Sequence, residues 1–232
     1  MKHSRLFILA SIPLLILILL GVLYNLQWLS TAAEFLIYPL LFAGFYKRLD
    51  FKNLNLSVFL LLSLATIGMS FIKEFSPVYF FMLILQMFAY MFLIREALMH
   101  TQRETGNRYI LLFFFVMIGA NAYFVSDHFL ELGNQIGDLF DFGLYSMYYL
   151  VLLALSVVGF IYYLNSYSRK SVFFITLVMT IIVSDILRDM AVYYLPDTSV
   201  LLLMSFLDFV GVILAFQFFA TTEKKLKLIN LV

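Results

Sequence analysis

The sequence predicts an all-α, polytopic membrane helix bundle with eight transmembrane helices and both termini in the cytoplasm. Of its 232 residues, 64% are hydrophobic and only 12% are charged, and the mean hydropathy is +0.99, whereas globular domains carry about 25% charged residues. Most of the chain consists of apolar runs long enough to span a bilayer. The basic residues also collect in alternate connecting segments, as cytoplasmic loops require. We therefore treat residues 1–232 as a single transmembrane domain.

The first apolar run follows a basic start and extends from Leu6 to Leu23. The apolar region of a secretory signal peptide is usually about 7–15 residues long, so the length of this run favours an uncleaved first span. The small residues at 30–33 offer a less favoured alternative, cleavage of a signal peptide.

Seven further runs follow, and the second span is the shortest because Glu34 and Pro39 interrupt its apolar character. The eight predicted spans lie at about 6–25, 31–46, 55–72, 77–97, 108–127, 143–165, 171–190 and 199–221.

The distribution of Lys and Arg supports this count of spans. With the N-terminus inside, 13 of the 15 basic residues fall in cytoplasmic segments, and only Lys73 and Arg188 do not. A seven-span arrangement would break the alternation, so the positive-inside rule favours eight spans. The absence of a large translocated domain suits the cytoplasmic membrane of a cell.

Composition also excludes several classes of function. A net charge of +1 provides no basic field for nucleic acid, and the lack of cysteine excludes disulfides and thiol chemistry. The three histidines, His3, His100 and His128, fall at the N-terminus or in predicted loops, which disfavours a histidine metal site. We predict no cofactor, no metal and no nucleic-acid partner, and membrane lipids as the natural ligands.

Acidic residues inside apolar spans are the strongest functional signal. A carboxylate near the centre of a membrane helix costs roughly 2.5–3.5 kcal/mol, so such residues are functional candidates. Those placed at or within spans are Glu34, Asp127, Asp185 and Asp208. The tripeptide Val-Ser-Asp occurs twice, ending at Asp127 in span 5 and at Asp185 in span 7. Both copies fall in the outer half, which suggests a polar pocket open to the outer leaflet.

Each of these residues also has a structural interpretation. Asp185, Arg188 and Asp189 have i, i+3, i+4 spacing and share one helix face, so Asp185 and Arg188 can form an ion pair that only stabilises span 7. Asp208 can bond a neighbouring helix across Ser205 or Gln217. Asp127 borders a loop and is explained by a helix end.

The layout resembles the YhhN-type, lysoplasmalogenase-like membrane proteins. The penultimate and last helices of that family are similar to SYSRKSVFFITLVMTIIVSDILRDMAVYYLP and LMSFLDFVGVILAFQFF, in which Ser184–Asp185 occupies the family's serine–aspartate position. Two further stretches, FLIYPLLFAGFYKR at 35–48 and LYSMYYLVLLAL at 144–155, resemble an early segment and the sixth span. The chain departs from the family in span 3, where Gly68–Met69 replaces a glycine–aspartate pair, and in span 4, which lacks a histidine.

The resemblance implies hydrolysis of the vinyl ether of a lysolipid to a fatty aldehyde and a glycerophospho-base. Such chemistry needs an acid that protonates the alkene and a base that directs water, and two carboxylates with separated pKa values can share the work. Asp185 would be one catalytic group and Asp208 the favoured second one, with Glu34 or Asp127 as other options. Ser184, Arg188 and Glu34 would bind substrate.

Other functions remain open at the level of sequence. They are a lipid-binding relative that has lost catalysis, a non-enzymatic scaffold and a small permease. An enzyme requires Asp185 and a second carboxylate to face one cavity that admits a lipid tail. A scaffold requires only satisfied polar pairs without a cavity.

Overall fold

A computed structural model describes residues 2–72, 76–101, 139–166, 168–195 and 197–223, together with isolated positions between 112 and 130. All regular structure in these residues is helical, as predicted. The helices are α1 (Lys2–Ala10), α2 (Ile12–Leu23), α3 (Gln27–Phe45), α4 (Leu54–Ser70), α5 (Ser76–His100), α6 (Leu139–Ser166), α7 (Arg169–Asp189) and α8 (Thr198–Ala220). A 3₁₀ turn (Tyr46–Arg48) follows α3, and a π-helix (Met190–Tyr194) continues α7.

Six helices in the described residues are long and apolar enough to cross a membrane, and they indicate a membrane protein. They extend over Leu6–Leu23, Gln27–Arg48, Val78–His100, Leu139–Ser166, Arg169–Tyr194 and Thr198–Ala220. The third predicted span corresponds to α4, whose 17 residues are apolar but fall short of this length. The fifth, 108–127, lies mainly outside the described residues, although Asp127 and the other positions described there are helical and exposed. Eight crossings therefore remain a prediction.

Side chains at the helix starts explain several boundaries. Asn53 caps α4 by accepting the Asn55 N–H at 2.9 Å, and Ser168 and Ser171 form a reciprocal capping box at the start of α7. Asp197 caps α8 by accepting the Ser199 N–H at 2.9 Å, and these hydrogen bonds hold the pKa of Asp197 below its usual value. Each cap satisfies a donor that the helix itself leaves unpaired.

Helix α8 lies between two apolar clusters. In one cluster, buried residues of α5, α6 and α7 pack with Phe218 of α8. In the other, residues of α2 and α3 pack with Phe209 and Phe216 of α8. Large apolar side chains also cover the outside of the bundle, including Leu61 and Leu150, as expected where the surface faces lipid rather than water.

Candidate functional site

A cavity of about 260 Å³ lies among α3, α4, α5, α7 and α8. We call it the central cavity. Its walls are mostly apolar. The five residues singled out from the sequence as catalytic or substrate-binding all line it: Glu34, Ser184, Asp185, Arg188 and Asp208. Three different helices contribute these side chains, so the fold brings together residues that are far apart in the chain.

Asp185 lies near the end of α7, buried to 4% exposure, and has three polar partners. Its Oδ1 forms an ion pair with Arg188 Nη1 at 2.8 Å. Its Oδ2 accepts hydrogen bonds from the Tyr148 hydroxyl at 2.7 Å and the Tyr90 hydroxyl at 3.3 Å. A cation and two phenols are an arrangement suited to an ionised carboxylate.

Arg188 contacts both Asp185 and Asp189, which lie on the same helix face. Its Nε lies 3.3 Å from Asp189 Oδ1, so the shared face that the spacing predicts is confirmed. The guanidinium also lies over the Tyr148 ring, with 5.2 Å from Cζ to the ring centroid. Its Nη2 is buried and has no hydrogen-bond partner within the part of the chain that the structure describes.

Asp208 lies in α8 and has a different environment. The Ser184 hydroxyl donates a hydrogen bond to Asp208 Oδ1. The structural alternative, a bond from Asp208 to a neighbouring helix, is thus present, but its partner is Ser184 and not a residue reached across Ser205 or Gln217. Its side chain lines the central cavity and keeps exposed surface there. Among the described residues, no cation lies within ion-pair distance of it.

Ser184 links the two carboxylates. It precedes Asp185 in the chain and donates to Asp208 on the neighbouring helix, so both acids are held on the same part of the cavity wall. Glu34, on α3, lines the cavity from the other side and is half-buried. Asp127 is not among the residues that line it.

Sequence reasoning missed the aromatic and amide residues that support this site. Tyr148 and Tyr90 hold Asp185, and Tyr149 donates a hydrogen bond to Asp189. Gln86 bonds the Tyr90 hydroxyl at 2.6 Å and lies 3.4 Å from Arg188 Nη1. The sequence does contain a signal for Gln86, since it is an amide inside the apolar fourth span. It contains no such signal for the tyrosines, because the chain has 15 of them.

The departure from the family pattern in span 3 has a structural counterpart. Met69 is not one of the residues that line the central cavity, whereas Ser63, Thr66 and Ser70 of the same helix are. Helix α4 therefore presents hydroxyls rather than a carboxylate to the cavity.

A second buried charged cluster lies where the ends of three helices meet, and we call it the Glu96 cluster. Lys170 Nζ lies 3.0 Å from Glu96 Oε1, and the side-chain amides of Asn53 and Asn55 each donate to Glu96 Oε2 at 2.9 Å. The prediction that His100 lies in a loop is wrong. His100 ends α5, and its Nε2 lies 3.1 Å from Lys170 Nζ.

The Glu96 cluster does not line the central cavity. Within the described residues, no group of three or more histidine or acidic side chains is arranged to hold a metal ion. The polar groups that line the central cavity include carboxylates, hydroxyls and a guanidinium.

No protein-family model, curated protein or solved structure matches the chain. The resemblance to the YhhN-type family consequently rests on the sequence motifs alone and stays a prediction.

Proposed function

We propose that the protein hydrolyses the vinyl ether of a lysolipid in the central cavity. The observation that carries this proposal is that Asp185 and Asp208 lie on the wall of one largely apolar cavity. Separate polar pairs without a cavity would suit a scaffold. Two acids in different environments beside space for an apolar chain suit acid–base hydrolysis of a lipid.

The two environments assign the two roles. Asp185, held by Arg188 and two phenols, is the base. Asp208, with one hydroxyl partner and no ion pair among the described residues, is the acid. Asp208 donates a proton to the alkene carbon remote from the ether oxygen, which leaves an oxocarbenium ion at the adjacent carbon. Asp185 takes a proton from water as the water oxygen adds to that carbon, and a hemiacetal forms.

The hemiacetal then breaks down, and both aspartates return to their starting protonation states. Its carbon–oxygen bond to the glycerol breaks, the glycerol oxygen receives the proton held by Asp185, and the hemiacetal hydroxyl returns a proton to Asp208. The products are a fatty aldehyde and a glycerophospho-base. Ser184 positions Asp208, Arg188 positions Asp185 and contacts substrate from the cavity wall, and Glu34 contacts the substrate from α3.

Membrane location and topology are part of the proposal. We place the protein in the cell membrane with eight spans and both termini cytoplasmic, because 13 of 15 basic residues then fall inside. The chain has no cysteine, so single cysteines can be labelled individually with a membrane-impermeant maleimide in intact cells. We expect labelling at Asp197→Cys and none at Lys52→Cys; the opposite result would invert the topology.

The test of function is aldehyde release from a lysoplasmalogen by purified protein in detergent. We expect activity in the wild type and its loss in Asp185→Asn and Asp208→Asn. Asp127→Asn is a matched control, because it makes the same change in the same Val-Ser-Asp tripeptide on an exposed position outside the cavity. A folded wild type without activity would reject the hydrolase.

One observation favours a second candidate, a lipid-binding relative without catalysis. Met69 stands where the family pattern has an aspartate, and α4 contributes no carboxylate to the central cavity. Binding of a lysolipid without aldehyde release would support this candidate.

A further inference from the structure

A second cavity, of about 420 Å³, lies where the turn between α2 and α3 meets the end of α4. We call it the corner cavity. Its polar lining comes from Asn25, Gln27, Thr31 and Ser70, and Trp28 provides an aromatic wall. Ser70 also lines the central cavity, so this residue borders both spaces.

The start of α3 gives the corner cavity the character of an anion site. Leu26 precedes the helix and has no side chain that can cap it, and the first turn holds no acidic residue. The N–H groups of Leu29 and Ser30 bond the Leu26 carbonyl. Those of Gln27 and Trp28 have no acceptor among the described residues. Unpaired N–H groups and the helix dipole both favour a negative ligand here.

Thr31 provides a second, independent observation at this cavity. It is buried to 5% exposure and lies on the wall of the corner cavity. Within the described residues, its hydroxyl has no hydrogen-bond partner. Because this unpaired hydroxyl belongs to a residue on the cavity wall, it can donate to a ligand in the cavity.

The corner that holds these groups is tightly packed. A Cβ added at Gly21 would lie 2.8 Å from the Ser30 nitrogen, so α2 and α3 approach each other as closely as glycine allows. The Leu26 N–H bonds the Gly21 carbonyl at 2.7 Å, and Asn25 turns the chain with a φ of 55°. These contacts hold the start of α3 against the end of α2.

We propose that the corner cavity binds the phosphodiester of a lysolipid headgroup. The assignment of the ligand as a lipid rests on the proposed function. In the bound lysolipid, the glycerol would lie along Ser70 and Glu34, which would bring the vinyl ether to Asp185 and Asp208. Glu34 lies one turn beyond Thr31, roughly 4.5 Å along the axis of α3. The phosphate sits at the helix start, and the single chain occupies the apolar part of the central cavity.

The chain carries its own reporter for this site. Trp28 is the only tryptophan in the sequence and lines the corner cavity. We would titrate the purified full chain in detergent with glycerophosphoethanolamine, inorganic phosphate and glycerol, and follow Trp28 fluorescence. We expect a saturable change with glycerophosphoethanolamine, a much weaker response to phosphate and none to glycerol.

Two variants test the donors. Thr31→Val keeps the shape but removes the hydroxyl, and it should weaken binding about tenfold, as the loss of a hydrogen bond to a charged group does. Gln27→Glu places a negative charge at the helix start, which stabilises the helix but repels the phosphate. A loss of binding in this variant therefore cannot result from unfolding. Thr176→Val is the matched control, because Thr176 is exposed on α7 and bonds its own helix.

Several outcomes would overturn the headgroup site. They are the absence of a saturable signal, unchanged affinity in both Thr31→Val and Gln27→Glu, or equal affinity for inorganic phosphate, which would assign the cavity to free phosphate. The fluorescence signal should persist in Asp185→Asn. Binding without aldehyde release would therefore reject the hydrolase and leave the headgroup site standing.

Discussion

Two buried charged clusters lie in this bundle, and they differ in what surrounds them. In the Glu96 cluster, the carboxylate accepts from Asn53, Asn55 and Lys170, and it does not line the central cavity. In the cluster around Asp185, the same kinds of group line the central cavity, and one guanidinium donor has no partner among the described residues.

We interpret this difference as one between structural charge and charge that serves the proposed function. The Glu96 cluster joins the start of α4, the end of α5 and the start of α7, so its contacts fix the relative positions of three helices. One acceptor, Asn55 Oδ1, lacks a partner there, but it does not line the central cavity. The cluster at the central cavity has one unpaired donor, Arg188 Nη2, and adjoining space, and this combination is consistent with the proposed binding site.

The largest effect that would test this contrast is the loss of catalysis in Asp208→Asn. General acid catalysis contributes about 10²–10⁴-fold, so aldehyde release should fall by about that factor while the melting temperature changes little. Steady-state rates and thermal unfolding of the same preparation give both values. A rate within about tenfold of wild type would remove Asp208 from the role of acid.

The opposite pattern is expected at the Glu96 cluster. Lys170→Met leaves Glu96 buried without its cation, which costs about 3–5 kcal/mol of unfolding free energy. Aldehyde release per folded molecule should stay at the wild-type level. Unfolding in detergent measures the first quantity, and Lys52→Met, at an exposed position, is the control. A normal stability in Lys170→Met would mean that the cluster does not hold the helices together.

An intermediate effect is expected from the tyrosines that hold Asp185. Interhelical hydrogen bonds in membranes contribute about 0.6 kcal/mol on average and about 1.7 at most, so Tyr148→Phe should lower aldehyde release by roughly 3- to 20-fold. Tyr90→Phe should lower it less, because its bond is 3.3 Å long against 2.7 Å for Tyr148. The reverse order of the two rates would contradict this account of how Asp185 is held.

The smallest effect concerns the departure from the family pattern. Met69 does not line the central cavity, so Met69→Ala should change the rate of aldehyde release by less than about twofold, the scale of a substitution away from the site. A large loss would show that α4 contributes to catalysis through this position.

Most of the helix positions were predictable because apolar runs and basic loops carry strong physical signals. The shared face of Asp185, Arg188 and Asp189 follows from helical spacing alone, and it is confirmed. The meeting of Glu34, Asp185 and Asp208 at one cavity was inferred only as a possibility, since sequence does not say which faces of different helices turn inward.

The sequence could not reveal the partners of these charges. Tyrosine and phenylalanine occur 42 times in all, so nothing distinguished Tyr148 from a residue facing lipid. The basic residue Lys170 fitted a solvated loop equally well, and only its ion pair with Glu96 in the structure shows that it is buried. The role of Tyr148 and the burial of Lys170 both depend on tertiary contacts, which the periodicity of the sequence does not encode.

The π-helix at Met190–Tyr194 has a consequence for comparing this chain with others. A π-turn contains one residue more than an α-turn, so a relative with a regular helix here would be one residue shorter. An alignment without a gap would then pair Asp185 correctly but shift every residue of α8 by one position, and Asp208 would be read against its neighbour. The two carboxylates thus lie on opposite sides of the π-helix, and a gap within 190–194 is required before conservation of Asp208 is judged.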